Sequence, residues 1–487
     1  MANRFKVIAE NDFVGSLRQF SYSHCIADID GDGRSEIILA GGSDSDNPNR
    51  FGYTAFHADL RVIDFENSGQ LHERYRETWF STELWGTTNR NNEWRNAYIN
   101  AVITVDIFGS GLPEVITCGG ANLSTLSGSG DNKSHSSVDE IDKGHLRHFV
   151  WDNDRNKLVA KSEALWAPPN YDNAGFYKVC AADIDGDGNN EIICVGTAWN
   201  GKNTENSVSC IAIFDAQFKL KGYKTWAYGN SLASRAIDLA VSDTDSNGQL
   251  ELITLGYATE AENVEWATQV EGELIAWNIV PTDSGLQFTK KAEAQLISKD
   301  DYLRPRSLWI GELNKEAGID IVVGGVIRYS GGSGPHRQSA AMVHVWRLTA
   351  FGNFVKQNEA DFVFLSGDDY NSRATLNDCM SVHGADINGD GNKKLLITVA
   401  LAGTNQIKIG CVVAFNSSLD LMNTPKDKLV HRDLTFGVVW SDGSKADLMT
   451  RTISTADLAG DGNIRTVVSG FFSNEKESRD VVFVFDE

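Results

Sequence analysis

The stretch Asp28-Ile29-Asp30-Gly31-Asp32-Gly33-Arg34-Ser35-Glu36 decides the fold, because it recurs, intact or altered, seven times in the 487-residue chain. The copies begin at Asp28, Asp106, Asp183, Asp243, Glu312, Asp386 and Asp457. Each follows a short apolar run and leads into another, the pattern of two strands joined by a tight turn. We call each nine-residue copy the acidic hairpin of its unit, and number the units in chain order.

Successive hairpins begin 78, 77, 60, 69, 74 and 71 residues apart, which is too long for a helical solenoid repeat. The spacing suits a unit of four strands, in which the acidic hairpin joins the first two. The other two are an alternating apolar strand and a more polar strand suited to a sheet edge. In unit one the predicted strands are 23–27, 36–40, 60–65 and 74–80.

Unit seven lacks a fourth strand, because the chain ends at Glu487 directly after the third, 481–485. The N-terminal segment 5–9 is predicted to complete that sheet and so to close a ring without open edges. The predicted fold is therefore all-β: a seven-bladed β-propeller with four antiparallel strands per blade. Residues 1–487 form a single domain in this prediction.

Composition restricts the partners. The net charge is −22 and the sequence pI is about 4.9, which disfavours nucleic acid and anionic membranes. No apolar run reaches the roughly 18 residues of a membrane-spanning helix. The first nine residues resemble a strand rather than a signal peptide.

The acidic hairpins are predicted to bind Ca²⁺, because oxygen ligands at alternating positions suit a hard cation. An EF-hand would need Glu at position 12, where the three best copies have Leu39, Cys194 and Thr254. The carboxylate lies at position 9 instead, between strands. The predicted ligands in these copies are Asp28, Asp30, Asp32, Glu36, Asp183, Asp185, Asp187, Glu191, Asp243, Asp245, Asn247 and Glu251.

The altered hairpins suggest a graded loss of metal. Unit six keeps Asp386, Asn388 and Asp390 but has Lys394 at position 9, and it is left open as a fourth site. Unit seven has Arg465 at that position. Each of these two basic side chains is expected to pair with the aspartates of its own hairpin. No metal is expected in unit two, and unit five is doubtful.

An apolar run, an acidic DxDxDG turn and a second apolar run, repeated seven times, resemble the FG-GAP/VCBS repeats of integrin α-subunit propellers and of related bacterial and fungal proteins. The resemblance covers nearly the whole chain and implies a calcium-stabilised propeller. It does not fix the activity, since similar propellers serve as adhesion modules, as fungal lectins and as scaffolds of ulvan and rhamnogalacturonan lyases.

A ligand is predicted on the face opposite the acidic hairpins, where the connecting loops, 41–58, 119–147, 197–208, 256–270 and 325–340, are long and dissimilar. Side chains six or eight positions before each hairpin should converge there, with His24 four positions before the first. The set is Tyr22, His24, Tyr98, Asn100, Tyr177, Arg235, Arg304, Arg306, Asp378 and Arg451. Guanidinium groups pair with carboxylates and tyrosine rings stack on sugars, so an acidic polysaccharide fits. The alternative is that these side chains fill the channel and pair with Asp378.

The predicted ligand face is compatible with three alternative functions. The first is binding of one extended glycan, and the second is β-elimination of a uronate polysaccharide by Arg, Tyr and His. The catalytic candidates for the second are Tyr177, Tyr302, Arg304, Arg306 and His336. The third is a protein-interaction or adhesion module. Calcium loops suit extracellular concentrations, so the expected location is secreted or cell-surface, with the cytoplasm as the alternative.

Overall fold

The computed structural model shows strands joined by turns, and its described part contains no α-helix. The described residues are 6–13, 19–48, 54–66, 68–80, 93–127, 136–201, 206–228, 233–259, 270–283, 285–297, 302–313, 318–328, 339–362, 376–387, 389–402, 408–415, 419, 435–436, 447–473 and 478–486. No helix in these ranges is long and apolar enough to cross a membrane.

The strands fall into seven units that follow one another along the chain. Unit one contains β2 (Gln19–Ala27), β3 (Glu36–Pro48), β4 (Thr54–Phe65) and β5 (Leu71–Trp79). Unit two contains β6 (Glu93–Val105), β7 (Glu114–Ser127), β8 (Ser136–Asp152) and β9 (Lys157–Trp166). Unit three contains β10 (Asn173–Ala182), β11 (Glu191–Trp199), β12 (Val208–Phe214) and β13 (Leu220–Trp226). Unit four contains β14 (Ala233–Ser242), β15 (Glu251–Thr259), β16 (Val270–Thr282) and β17 (Gly285–Leu296).

The remaining units follow the same order. Unit five contains β18 (Leu303–Gly311), β19 (Asp320–Arg328), β20 (Ser339–Leu348) and β21 (Phe354–Phe362). Unit six contains β22 (Leu376–Ala385), β23 (Lys394–Ala402), β24 (Lys408–Phe415) and β25 (Thr435–Phe436). Unit seven contains β26 (Asp447–Ala456), β27 (Arg465–Ser473), β28 (Ser478–Asp486) and the N-terminal β1 (Lys6–Phe13).

Within each unit the strands pair antiparallel in sequence order, which confirms the prediction of four-stranded antiparallel sheets. Units one and two share an eight-stranded sheet, because β4 and β6 meet through one parallel pair, Phe56 with Asn96. The predicted pairing of the chain ends is present. β1 lies antiparallel to β28, with Val7 opposite Phe485 and Ala9 opposite Val484.

The first strand of each unit contacts the first strand of the next unit, and β26 of unit seven contacts β2 of unit one. Buried apolar clusters lie between consecutive sheets in the same cyclic order. The cluster between units seven and one includes Ile37, Leu39, Val467, Val482 and Ala9. Face-to-face packing of sheets therefore continues across the two ends of the chain.

Burial follows strand position. The second strands β15 and β19 are buried at every residue, whereas the fourth strand β21 is mostly exposed. A strand covered on both faces has a continuous apolar run in its sequence, as Ile321 to Val323 of β19 does. The polar fourth strands are the solvated edges that the sequence predicts.

The sequence places several strand ends too early. It predicts a loop over 119–147, but β7 continues through Ser127 and β8 starts at Ser136. Similarly β3 runs to Pro48 and not to Ala40. Once two strands pair, the ladder extends through polar residues because each backbone amide still gains a partner, and composition does not show this.

Candidate functional site

The first strand of every unit carries a one-residue β-bulge against the second strand, six positions before the acidic hairpin. The bulged residues are Tyr22, Asn100, Tyr177, Ile237, Arg306, Met380 and Arg451. A bulge re-aims a side chain out of the regular alternation of the strand. All seven border one cavity of about 320 Å³. The cavity thus receives one bulged residue from each unit.

A glycine on the second strand lies opposite the bulge in six units. These glycines are Gly41, Gly119, Gly196, Gly256, Gly325 and Gly470. A Cβ on Gly196 would lie 1.9 Å from the carbonyl oxygen of Gly175, closer than any real contact. The bulged backbone therefore occupies the space that a side chain would need. Unit six has Val399 at this place.

Basic side chains dominate the cavity: its lining includes Arg235, Arg304, Arg306 and Arg451. Arg306 is paired with Asp378, its Nη2 lying 2.5 Å and its Nε 3.1 Å from Oδ2. Arg304 and Arg451 have no carboxylate within salt-bridge distance among the described residues, and the Nε of each lies buried without a hydrogen-bond partner. In a chain of net charge −22 this cavity is a positive site.

The two unpaired guanidinium groups rest on tyrosine rings. Arg304 lies 5.3 Å from the ring centre of Tyr257, and Arg451 lies 5.6 Å from that of Tyr22. Burial, with the charge of Arg306, lowers the pKa of Arg304, and the same causes lower the pKa of Arg451 to about 10. Burying a cation without a counter-ion is costly, so the cavity favours an anion.

Tyr257 lines the cavity but was not predicted from the sequence. It lies on β15, next to Gly256 and opposite Arg235 in the ladder, and Arg235 donates a hydrogen bond to it. Burial raises the pKa of Tyr257, but the charges of Arg304, Arg235 and Arg306 outweigh it, so the pKa lies below its ordinary value. The sequence feature that indicates Tyr257 as a cavity residue is its position directly after Gly256, the glycine opposite the bulge.

The structure brings most predicted ligand residues together. Tyr22, Asn100, Tyr177, Arg235, Arg304, Arg306 and Arg451 all border the cavity. Tyr98 and His24 are not in its lining. Tyr98 is enclosed, with its hydroxyl near Gly120 and Gly175. His24 is buried, with Nδ1 2.6 Å from Ser469 Oγ and Nε2 2.5 Å from Ser454 Oγ.

Only some of the five predicted catalytic residues lie at the cavity. Tyr177, Arg304 and Arg306 border the cavity, whereas Tyr302 is fully buried outside its lining, with the Arg328 guanidinium 4.4 Å from its ring centre. His336 lies outside the described residues. The remaining candidates for proton transfer at the cavity are therefore tyrosines.

Each acidic hairpin is closed by its own carboxylates. In unit one Asp28 accepts hydrogen bonds from the amides of Gly31, Asp32 and Gly33, and Glu36 accepts one from Ile29. The same position-9 contact recurs at Glu191 and Glu251. Gly31 and Gly33 have φ of 79° and 87°, which glycine adopts without strain.

Three hairpins gather carboxylate oxygens within 4.8 Å of one another. The groups are Asp28, Asp30 and Asp32, then Asp183, Asp185 and Glu191, then Asp243, Asp245 and Glu251. Asp187 and Asn247 are exposed residues of the same turns, and each accepts a hydrogen bond from a backbone amide two residues later. A buried oxygen without a hydrogen-bond partner remains at Asp183 Oδ1, Asp245 Oδ1 and Asp386 Oδ1. Such oxygens fit a hard cation such as Ca²⁺.

The predicted internal pairing in units six and seven is present. Lys394 Nζ lies 3.0 Å from Asp390 Oδ2, and Arg465 Nη2 lies 2.7 Å from Asp461 Oδ2. In unit six Asn388 lies outside the described residues. The position-9 cation thus neutralises part of the hairpin that carries it.

A second concavity of about 870 Å³ lies beside the acidic hairpins of units two and three. It is lined by Phe108, Asp185, Asp187, Asp215 and Lys221, among others. The larger of these two concavities is therefore on the hairpin side of the molecule, where the sequence predicts bound cations but no glycan.

No protein-family profile and no curated protein matches this sequence. Solved structures similar to the chain include an exotype rhamnogalacturonan lyase, at 14% identity and a TM-score of 0.40, with 97% of this chain and 75% of that one covered. A glycoside hydrolase family 32 protein from Bifidobacterium adolescentis shows 12% identity and a TM-score of 0.38, with 100% and 82% covered.

A rhamnogalacturonan lyase from Bacillus licheniformis shows 12% identity and a TM-score of 0.33 over 77% of this chain. The chain spans 65% of the length of that lyase. Similarity of this extent says nothing about activity, so the function rests on the residues of the cavity.

Proposed function

We propose that the cavity binds the carboxylate of an acidic glycan, and that it lies at the centre of a seven-bladed, FG-GAP/VCBS-type β-propeller formed as a single domain by residues 1–487. The cyclic contacts of the seven first strands and the apolar clusters between consecutive sheets support the ring. The expected location is secreted or cell-surface.

The unpaired, buried guanidinium groups of Arg304 and Arg451 carry the proposal. A carboxylate between them would supply the missing counter-charge and accept charge-assisted hydrogen bonds. The rings of Tyr22 and Tyr177, together with the Asn100 amide, offer stacking surface and hydrogen bonds to a hydroxyl-rich ligand. A sugar acid has both kinds of group.

The test is calorimetric titration with an oligogalacturonate and with the same oligosaccharide after reduction of its carboxyl groups. Only the acidic form should bind. Arg304→Gln and Arg451→Gln should each weaken binding roughly tenfold to a hundredfold, the value of a hydrogen bond to a charged group. Arg155→Gln, whose side chain is 68% exposed, is the control. Equal binding of both oligosaccharides would overturn the proposal.

Tyr257 favours a second candidate, a polysaccharide lyase. In β-elimination the C5–H and C4–O bonds break, a C4=C5 double bond forms and a proton reaches the leaving oxygen. Arg304 would neutralise the uronate carboxylate, and the Tyr257 oxygen, with its pKa lowered by three arginines, would accept the C5 proton and return it to the leaving oxygen.

The lyase proposal predicts ultraviolet-absorbing unsaturated products from a uronate polysaccharide. Tyr257→Phe should abolish their formation while the affinity for the oligosaccharide changes less than threefold or so, since the ring remains. If no uronate polysaccharide yields such products, the lyase is rejected and the binding function stands.

We further propose that the hairpins of units one, three and four hold Ca²⁺, with unit six as a fourth candidate. The ligands would be Asp28, Asp30, Asp32 and Glu36 in unit one, and the corresponding residues of units three and four. The cation would offset the mutual repulsion of carboxylates that lie within 4.8 Å of one another. Chelation should then lower the melting temperature.

A further inference from the structure

A second series of β-bulges lies in the fourth strands, against the third. The bulged residues of units one to five are Arg74, Lys161, Lys221, Lys291 and Gln357. Four of the five are basic. Because a bulge turns a side chain away from its regular direction, the basic residues of units one, three and four reach one defined place in their own unit.

That place is the acidic hairpin. Lys221 Nζ lies 2.5 Å from Asp185 Oδ2, 2.8 Å from Glu191 Oε1 and 3.3 Å from Asp187 Oδ2. Lys291 Nζ lies 2.6 Å from Asp245 Oδ2 and 2.8 Å from Glu251 Oε1. Arg74 Nη1 lies 2.6 Å from Asp30 Oδ2. The side chains of Glu191 and Glu251 are 1% and 0% exposed, so solvent screens these pairs little.

The ammonium groups do not use every carboxylate oxygen. Lys291 takes Asp245 Oδ2, and Asp245 Oδ1 remains buried without a hydrogen-bond partner although the side chain is only 3% exposed. In unit three Asp183 Oδ1 also lies buried without a hydrogen-bond partner, whereas Asp183 Oδ2 accepts a hydrogen bond from the Gly188 amide. A metal ion and a lysine would therefore draw on the same set of carboxylates.

We propose that Lys221 and Lys291 set the cation affinity of the hairpins in units three and four. Each supplies a fixed positive charge that stabilises the metal-free hairpin and weakens the binding of a divalent cation. The inference rests on the proposed Ca²⁺ sites. Its physical basis is that the charge count of the ligand set tunes calcium affinity, and that a like charge a few ångströms away opposes binding.

Unit two provides an internal comparison. Lys161 occupies the same bulge, but its hairpin has Phe108 and Ser110 where unit three has Asp185 and Asp187. Lys161 is exposed, and no ion pair of its side chain occurs in the described part of the chain. Lys161→Met therefore changes the same kind of residue at the same structural position without touching an acidic cluster.

The experiment measures calcium binding by calorimetry in a protein that carries Asp28→Asn and Asp243→Asn. These two substitutions weaken calcium binding by the hairpins of units one and four, so that the hairpin of unit three dominates the measurement. Lys221→Met should tighten the calcium Kd at least about tenfold, the scale set by one nearby like charge at intermediate dielectric. Lys221→Arg should retain the affinity of the background protein, and so should Lys161→Met. The effect of Lys291→Met on calcium binding by unit four is measured in the same way, in a protein that carries Asp28→Asn and Asp183→Asn.

Thermal unfolding in chelator gives the second readout. Lys221→Met and Lys291→Met should lower the melting temperature by several degrees, because the carboxylates lose their counter-charge, and Lys161→Met should not. Unchanged or weaker calcium binding in Lys221→Met would overturn the inference while leaving the Ca²⁺ sites standing. Absence of calcium binding from the parent protein and every variant would instead reject the Ca²⁺ proposal, and this inference with it.

Discussion

At the scale of single residues, a glycine opposite the first-strand bulge makes room for the bulged backbone in six of the seven units. In each of the six units the glycine follows the first hairpin residue by 13 positions, as Gly196 follows Asp183. Its hydrogen leaves room for the carbonyl of the bulged strand. The bulge in turn gives residues such as Tyr177 their direction into the cavity.

Gly196→Ala tests this relation. The new Cβ would lie 1.9 Å from the Gly175 carbonyl oxygen, so the backbone must shift, and we expect unfolding to become easier by roughly 2–4 kcal/mol. Gly175→Ala is the matched control in the same ladder, because its Cβ would meet only the Tyr98 hydroxyl at 3.8 Å. Chemical denaturation of both variants is the measurement. Equal stability would show that the bulge does not need the glycine.

Single residues also show what sequence could not supply. Counting back six positions from each hairpin finds Tyr22, Asn100 and Arg451 because the bulge recurs in register with the acidic motif. This count did not find Tyr257, because Tyr257 reaches the cavity from β15, the second strand of unit four, and the count covers first strands only. The sequence did not predict the contacts of Lys221 and Lys291 with the hairpins, because the two lysines lie 30 and 40 residues after the position-9 glutamates that they contact.

At the scale of strands, polar contacts between neighbouring units supplement the apolar clusters. His24 on β2 contacts Ser469 on β27 and Ser454 on β26, and His383 on β22 contacts Thr455 on β26. Two histidines thus join the first strands of units six, seven and one. The serine partners of His24 lie more than 400 residues away in the sequence. The sequence alone therefore could not show these contacts, and it predicted His24 as a ligand-binding residue instead.

These histidines predict a loss of stability in acid. Burial, aided by nearby charge, lowers the pKa of His24 to about 3 and that of His383 to about 4, from an ordinary 6.5. Below pH 6.5 the unfolded chain takes up protons that the folded imidazoles do not, so the contribution of these two histidines to the free energy of unfolding falls as the pH is lowered from 6.5 to about 4. His383 alone contributes on the order of 3 kcal/mol of this loss.

Denaturation curves measured between pH 4 and pH 7 or so check the effect. His383→Gln should have a flatter pH dependence than the parent protein, whatever its absolute stability. His72→Gln replaces an exposed histidine and should run parallel to the parent. A pH slope that His383→Gln leaves unchanged would contradict the prediction.

At the scale of the whole molecule, the chain combines an acidic exterior with a basic interior site. The net charge of −22 includes the carboxylates of the hairpins, whereas the unpaired arginines lie where the seven first strands converge. Repetition explains both features. The hairpins repeat and can each hold a cation, but the bulged residues differ from unit to unit and build one asymmetric site.

Strands from the two ends of the chain pair with each other, and this pairing would close the proposed propeller. β1 covers the edge of β28, whose residues Val482, Phe483 and Val484 are at most 1% exposed, and Ala9 joins the apolar cluster between units seven and one. The buried Arg61 of unit one also lies 3.6 Å from Asp480 of unit seven. Removing β1 would expose a row of unpaired backbone groups on an apolar strand.

Deletion of residues 1–13 should therefore lower the melting temperature by several degrees or more and produce oligomers on size-exclusion chromatography, because the bare β28 edge can pair with another chain. A synthetic peptide of residues 5–13 should restore the elution volume of the parent protein by adding a strand in trans. Deletion of residues 1–4 alone removes no part of β1 and should behave as the parent protein does. A monomeric, equally stable deletion of residues 1–13 would show that the pairing of β1 with β28 does not close the molecule.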